Sequence, residues 1–445
     1  MHSFIIDCLY GYADLAVLGL ALACVWYAWQ TLRRPMEAPW FGLGRQLTVQ
    51  RQLFGGWLGG ARQTLAPWLF AVAAAVYQFE IFFVNSLYRD RLPWLFEYGT
   101  MALDHLVALC LLGKILFCTR YDGRQLAAAF CVLFVIRWVF MNNHNKWMMM
   151  ALLFALAAKD VPLRRALKLV FPVGALSVGV VALSSVTGVI DTMQDLSTGR
   201  YRNSFGYGWY NFFGACLLGL ALMYVCLRGV KRLKWFDFAL LAALTVFCNF
   251  GPDSRAATIC LVLLIAGLLV VRIWPGVLRP LPVRILLTAA PLLAFAASMG
   301  LALGWDPENP VLSRLDGLLS TRISLGWQGL STMPFAIAGQ MPGADMLVDN
   351  AYLYYWIVAG PVASALIWLG FALLMWRLLK AGLATEAVCC LAMLCHATME
   401  THVMWACVNV TIWLLCGVLF WPRRQPGFEK AEEKAKIHSK GVVNV

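Results

Sequence analysis

Charge is scarce in this chain. Asp, Glu, Lys and Arg together make 13% of its residues, against roughly 25% in an ordinary soluble domain. That shortage excludes a soluble enzyme with a solvated surface, and a disordered scaffold that relies on charge to stay expanded. There is no Cys-X-X-Cys pair. The 14 cysteines are scattered, and most of them, including Cys216, Cys260, Cys389, Cys390, Cys407 and Cys416, sit inside apolar runs. There a cysteine serves as a small hydrophobe, so neither a disulfide framework nor a thiolate metal site is expected. The chain also lacks a Gly-Lys-Ser/Thr phosphate loop, a Ser-His-Asp or Cys-His nucleophile arrangement and any β-type alternation of polar and apolar residues. No polar block is long enough for a Rossmann-type nucleotide domain.

Apolar residues fill the space that charge leaves. They make 61% of the 445 residues, and the mean hydropathy is +0.71. Runs of about 20 apolar residues, each able to cross a hydrocarbon core of about 30 Å, recur from end to end. They fall near 8–29, 65–85, 97–118, 126–141, 147–158, 169–187, 209–227, 235–250, 256–274, 285–303, 351–376, 386–399 and 403–420. The last two read either as separate spans or as one broken, re-entrant segment. The first has no small-residue cleavage site and runs into a basic loop, so it reads as a retained helix. The expected architecture is an all-α, polytopic integral membrane protein with about 12–13 transmembrane helices over 1–420, a long outer loop after span 10, and a charged cytoplasmic tail at 421–445.

Lys and Arg divide unequally between alternate loops. One set, with the tail, holds 26 of the 36 basic residues; the other holds Arg89, Arg91, Lys146, Arg200, Arg202, Arg255, Arg314 and Arg322. The basic-rich side is expected to be cytoplasmic. The formal net charge of +13 is then mainly a topology signal, and nucleic acid is not an expected partner. Membrane lipids are, because 31–63 carries five Arg with Trp40, Phe41, Phe54 and Trp57, the pattern of a helix lying in the interface plane.

Eight basic residues on the outer side stand out because orientation selects against them. Arg is planar, permanently charged and grips phosphate oxygens in a fork. Arg202, Arg255, Arg314 and Arg322 therefore become candidate ligands for a lipid-linked diphosphate, with snorkelling or pairing to Asp195, Asp253 or Asp316 as the plainer account. Two outer loops stand out, 188–208 and 304–350. Within the second, Leu312, Leu315, Leu318, Leu319 and Ile323 recur at helical spacing. One helix over 310–332 would place Arg314 and Arg322 about 80° apart. The run Arg202-Asn203-Ser204-Phe205-Gly206-Tyr207-Gly208 leads to a span carrying Asn211, and Gly251-Pro252-Asp253-Ser254-Arg255 repeats that pattern at the next outer hairpin. Both end at a helix N-terminus, which favours anions. Ser204, Asn211, Ser254 and Asn350 join the candidate binding set.

For proton transfer the outer carboxylates are candidates. Glu400 lies four residues after His396, on one face if that stretch is helical, and one His with one Glu is a weak metal pattern. Asp349 precedes span 351–376 with Asn350, at a position that capping alone also explains. Asp14, Glu80, Asp104, His105, Lys114, Arg137 and Asp237 lie within spans, where charge is costly and should face the protein interior. Asp104-His105 reads as the pair of most interest among them.

In order and content, the motifs at 150–405 resemble a known family. They are Arg200-Tyr201-Arg202-Asn203-Ser204-Phe205-Gly206-Tyr207-Gly208-Trp209-Tyr210-Asn211, the GPDSRAA run at 251–257, LLSTRISLGWQGL at 318–330, AIAG at 336–339 and VDNAYLYYWIVAG at 348–360. The chain is similar to the Wzy-type polysaccharide polymerases of capsule and exopolysaccharide clusters, especially their Gram-positive branch, within the O-antigen polymerase and ligase superfamily. The resemblance implies a GT-C-like membrane glycosyltransferase working at the outer face of a bacterial cytoplasmic membrane. Its substrates would be undecaprenyl-diphosphate-linked glycans, it would need no cofactor or metal, and a flippase and a chain-length regulator would be partners. It implies that Arg202, Arg255 and Arg322 bind diphosphate, and that Glu400, or Asp349 or His396, activates the acceptor hydroxyl. An Arg-X10-Gly spacing found in some Gram-negative members is absent at Arg202 and Arg322, and the ligase-type histidine motif is missing. Polymerisation is thus expected ahead of ligase-like transfer to another acceptor, and ahead of a flippase, which should show internal repeats.

Overall fold

The computed structural model of the chain describes residues 61–119, 121, 123–195, 202–343 and 346–420. The expected span 8–29, nearly all of the interfacial segment 31–63, the tail 421–445, Asp14 and Arg200 lie outside the described residues.

The apolar runs are built of Leu, Ala, Met and Phe, and they form helices because a backbone in lipid must satisfy its own polar groups. In chain order these are α1 Ala61–Val84, α2 Tyr88–Arg91, α3 Pro93–Gly113, α4 Gly123–Asn143, α5 Lys146–Ala157 and α6 Leu163–Val186. After a minimal antiparallel pair, β1 Gln194–Asp195 with β2 Arg202–Asn203, come α7 Tyr210–Arg228, α8 Trp235–Phe250, α9 Arg255–Ile273 and α10 Leu281–Leu303. Then follow α11 Pro310–Leu318, α12 Arg322–Thr332, α13 Ala351–Val358, α14 Gly360–Lys380, α15 Ala384–His396, α16 Thr411–Leu414 and α17 Cys416–Leu419. Among the described residues eight helices (α1, α3 with its extension to Cys118, α4, α6, α7, α9, α10 and α14) are long and apolar enough to cross a membrane. Three more, α5, α8 and α15, are apolar but shorter.

Hydrogen bonds among loops and helix ends define the two ends of the bundle. At one, Tyr121 Oη donates to the Leu156 carbonyl (3.1 Å), Lys159 Nζ to Gln125 Oε1 (2.8 Å) and Val230 N–H to Thr385 Oγ1 (2.9 Å). At the other, Leu87 N–H donates to the Gly206 carbonyl and Ala351 N–H to the Ala397 carbonyl, both at 2.8 Å. This second, loop-rich end gathers 85–92, 187–195, 202–209, 251–254, 304–343, 346–350 and 397–401.

α7 sits at the centre, buried from Phe212 to Cys226 over nearly its whole surface. Around it Phe70 packs edge-on to Trp413 (5.2 Å) and Phe154 (5.9 Å). On the periphery Leu176, Leu183, Leu286 and Leu293 point outward. On helices this long and apolar, such residues form the surface that meets lipid. Gly219 of α7 lets another backbone come close: a Cβ there would lie 2.7 Å from the Val408 carbonyl oxygen. Small residues allow such approach between apolar segments.

Three sequence expectations are corrected. The helix expected over 310–332 is two helices, because Ser320 and Thr321 take left-handed backbone angles (φ 55° and 62°) and Asp316 Oδ1 accepts from the Ile323 and Ser324 N–H groups to start the second. The span 351–376 is interrupted at Gly360 (φ 78°), where the Ile337 carbonyl packs too closely for any Cβ. α15 ends at His396, so Glu400 lies beyond the helix instead of on its face. The 403–420 stretch is broken, as one of its two sequence readings had it: a short 3-10 turn at His402–Met404, an irregular link and the fragments α16 and α17.

Candidate functional site

The loop-rich end brings three of the candidate residues into one group. Arg322, the first residue of α12, reaches across to the turn that follows α15. Its Nη2 donates to Glu400 Oε1 at 3.2 Å and lies 4.0 Å from Asp349 Oδ2. Nε donates to the Met399 carbonyl at 2.8 Å, and Nη1 to the Leu319 carbonyl at 2.9 Å. A guanidinium held by all three of its nitrogens has little freedom to move. The Asp316 cap places α12, and Thr321 in its left-handed turn sets the direction in which Arg322 leaves the chain.

The two carboxylates differ in burial. Glu400 has 6% of its side chain exposed and Asp349 48%. Burial, reinforced by the Asp349 charge, raises the Glu400 carboxyl to about 8 against the pull of Arg322. Asp349 is also held above its ordinary value by crowding, again opposed by Arg322, but with half its side chain open it is the wetter member. A carboxyl raised into the neutral range beside a fixed cation can exchange protons near pH 7, which proton-transfer catalysis requires.

His396 is the third candidate for proton transfer. It is buried, and neither ring nitrogen has a hydrogen-bond partner among the described residues. Its ring lies 5.8 Å from that of His402, itself against Phe212 at 5.8 Å. Its link to Glu400 runs through the backbone, with Glu400 N–H on the His396 carbonyl at 2.8 Å.

The other candidates are distributed around this group. Arg202 forms its own cluster, with Nη1 donating to Tyr210 Oη at 2.5 Å, the guanidinium 4.6 Å from that ring's centre, and Nε 3.9 Å from Asp253 Oδ2. Asn211 is half-buried in the next turn. Arg255 begins α9 and is exposed, as is Arg314 on α11; the break at 319–321 puts Arg314 and Arg322 on different helices.

Three candidates have structural work. Ser204 is buried, and its Oγ accepts from the Met193 N–H at 3.0 Å. Ser254 is buried with its Oγ against Gly214, where α9 meets α7. Asn350 caps α13, accepting from Tyr352 and Leu353 N–H, and donates to Ser298 Oγ at 2.9 Å.

Sequence reading missed the carbonyls of Met399 and Leu319 as ligands of Arg322, and no side-chain signal could have shown them. It also mispaired Asp104. The His105 ring nitrogen Nδ1 lies 2.5 Å from the Met101 carbonyl oxygen, and Asp104 pairs with Lys146. Four residues past Glu400, Met404 lines an apolar cavity of about 300 Å³ with Ile136, Met148, Leu152 and Ile367. No group of three or more His, Cys, Asp or Glu side chains capable of holding a metal occurs among the described residues. No family model, curated protein or solved structure matches the chain.

Proposed function

We propose that the chain is a membrane glycosyltransferase that polymerises undecaprenyl-diphosphate-linked oligosaccharide units at the outer face of a bacterial cytoplasmic membrane, as a Wzy-type polymerase does. The observation that carries this reading is the Arg322 group: a fixed guanidinium flanked by one buried and one open carboxylate, at the loop-rich end of an apolar bundle. Of the 36 basic residues few lie at this end, and their scarcity supports reading it as the outer side.

The chemistry follows from the residues. The hydroxyl of an acceptor sugar attacks the anomeric carbon of a glycan carried on the diphosphate. The carbon–oxygen bond to the diphosphate breaks, and the hydroxyl proton passes to a base. Glu400 fits the base better than the alternatives, because Asp349 is wetter and the His396 ring is sealed. Arg322 offsets charge on the departing diphosphate, with Arg202 and Arg255 as further cations around the same end. The apolar cavity beside Met404 gives an isoprenoid chain a place within the bilayer. Substrate energy is already stored in the carrier bond, so no nucleotide domain or cofactor is needed.

The test is purified protein in lipid vesicles with synthetic undecaprenyl-diphosphate repeat units. A product ladder that disappears with Arg322→Ala in folded protein is the expected result. Passage of intact units across the bilayer without lengthening would mark a flippase and overturn the reading. Transfer of whole glycan to a non-repeat acceptor would mark a ligase.

A further inference from the structure

A second charged group lies below the loop-rich end, contributed by three helices. Lys146, the first residue of α5, has its Nζ 3.0 Å from Asp104 Oδ2 on α3 and 3.7 Å from Glu80 Oε1 on α1. The Glu80 side chain is fully buried, and neither of its oxygens takes a hydrogen bond among the described residues. Lys146 and Asp104 are open by 45% and 34%. The group therefore has a closed floor and an open mouth.

Two indoles stand at that mouth. Trp147 stacks on Trp405 with ring centres 3.8 Å apart and planes at 12°. From 402 to 413 every residue is buried except Trp405, so the irregular segment that dips into the bundle presents one side chain outward. Non-helical backbone at membrane depth is tolerated only inside protein or beside a wet cavity. Interfacial anchors look different here: Trp94, Trp209 and Trp235 stand strongly exposed, whereas Trp147 and Trp405 cover each other beside three charges.

The charge balance selects the ligand. One ammonium set against two carboxyl groups leaves no excess positive charge, so nothing here draws a phosphate. An ammonium ligand would meet Lys146 already between the carboxylates. A neutral, hydroxyl-rich ring suits every part: carboxylates accept from hydroxyls, the ammonium donates to ring oxygens, and the apolar C–H face of a pyranose lies on an indole. We infer that Glu80, Asp104, Lys146, Trp147 and Trp405 form a saccharide subsite. The Trp405 ring is 4.8 Å from that of His402, two residues after Glu400, so the turn 400–405 joins this subsite to the Arg322 group. Assigning the sugar to a lipid-linked glycan rests on the polymerase reading; the saccharide chemistry of these five side chains does not.

The experiment is saturation-transfer NMR on the full chain in nanodiscs with a panel of soluble bacterial oligosaccharides, alongside binding of undecaprenyl diphosphate that carries no sugar. At least one oligosaccharide is expected to receive saturation at its pyranose C–H protons. Asp104→Asn and Trp147→Leu, in protein that melts cooperatively, should weaken that binding tenfold or more, while Arg322→Gln leaves it within twofold. The subsite is overturned if no oligosaccharide binds, if both variants bind like the parent, or if ethanolamine displaces the sugar. Oligosaccharide binding that depends on Asp104, together with no binding of the sugar-free carrier, would sink the polymerase reading and leave the subsite standing.

Discussion

The Arg322 and Lys146 groups have the same composition, one cation with two carboxylates, and opposite construction. Arg322 is held in loops: two of its nitrogens donate to the carbonyls of Met399 and Leu319 and only one to a carboxylate. Lys146 is held by helices, its ammonium donating to Asp104 Oδ2 at 3.0 Å and lying 3.7 Å from Glu80 Oε1, with no carbonyl ligand among the described residues. The first arrangement fixes direction, because a guanidinium fork is planar and its donors point in set directions. The second fixes only location, because an ammonium is a rotating point charge. Binding a diphosphate whose charge changes during bond cleavage calls for the first. Holding a ring that can slide by one hydroxyl calls for the second.

The largest effect that separates the two groups should come from Arg322. Arg322→Ala removes a preorganised donor and is expected to lower the elongation rate in vesicles by roughly 10²–10³-fold. Arg322→Lys should rescue little of this, since one ammonium cannot reach both carbonyls and Glu400 together. Recovery of most of the rate with Lys would show that Arg322 acts as a point charge and erase the contrast. Glu400→Gln comes next, with an expected loss of about 10²-fold, the lower end of what a positioned base contributes. In the parent protein the rate should rise with pH and level off above about 8, where Glu400 loses its proton. The variant's residual rate should lack that inflection.

The same shift makes a stability prediction of definite sign. The Glu400 carboxyl sits at about 8 in the folded chain against an ordinary 4.5. Between those values the folded state binds more protons than the unfolded one, so this group's contribution falls as pH rises through that window. Glu400→Gln should therefore flatten the decline in melting temperature between pH 5 and pH 9 while lowering the elongation rate. An unchanged decline would place the titration elsewhere.

These groups were unequally legible in the sequence. The long helices followed from apolar runs, and Arg322, Glu400 and Asp349 each stood out as outer charges. Their union did not, because 78 residues separate Arg322 from Glu400, and two of its ligands are carbonyls. Asp104 was matched with His105 because they adjoin in the chain, although adjacent residues on a helix do not face each other. Its real partner is 42 residues away. The break at Ser320–Thr321 was hidden because leucine spacing continues through it, while the cap from Asp316 and the two left-handed residues decide the turn.

Gly219→Ala tests whether the dipping segment 402–410 is what holds the Trp405 side in place. The added methyl would meet the Val408 carbonyl oxygen at 2.7 Å and its Cα at 3.1 Å, both backbone atoms with little room to yield. Overpacking of this kind typically costs about 1–3 kcal/mol, read as a lower melting temperature. The displacement should weaken oligosaccharide binding more than binding of the sugar-free carrier, since Trp405 belongs to the displaced segment and Arg322 does not. Equal losses for both ligands would mean that the two groups move as one unit.

Lys146→Arg carries the smallest expected effect and discriminates best between the two constructions. The side chain is 45% exposed at the start of α5, so a longer head has room to swing outward. Asp104 is also partly open, and Glu80 needs only a positive charge within about 4 Å to be compensated. Nothing at this position demands a particular donor direction. Oligosaccharide affinity should therefore change by less than about 1 kcal/mol, roughly a factor of five, whereas the reciprocal exchange at Arg322 should remove most activity. A large loss with Lys146→Arg would mean that the ammonium donates along a fixed axis to one sugar oxygen. The lower group would then be as directional as the upper one, built from charge and burial without the carbonyl ligands that fix Arg322.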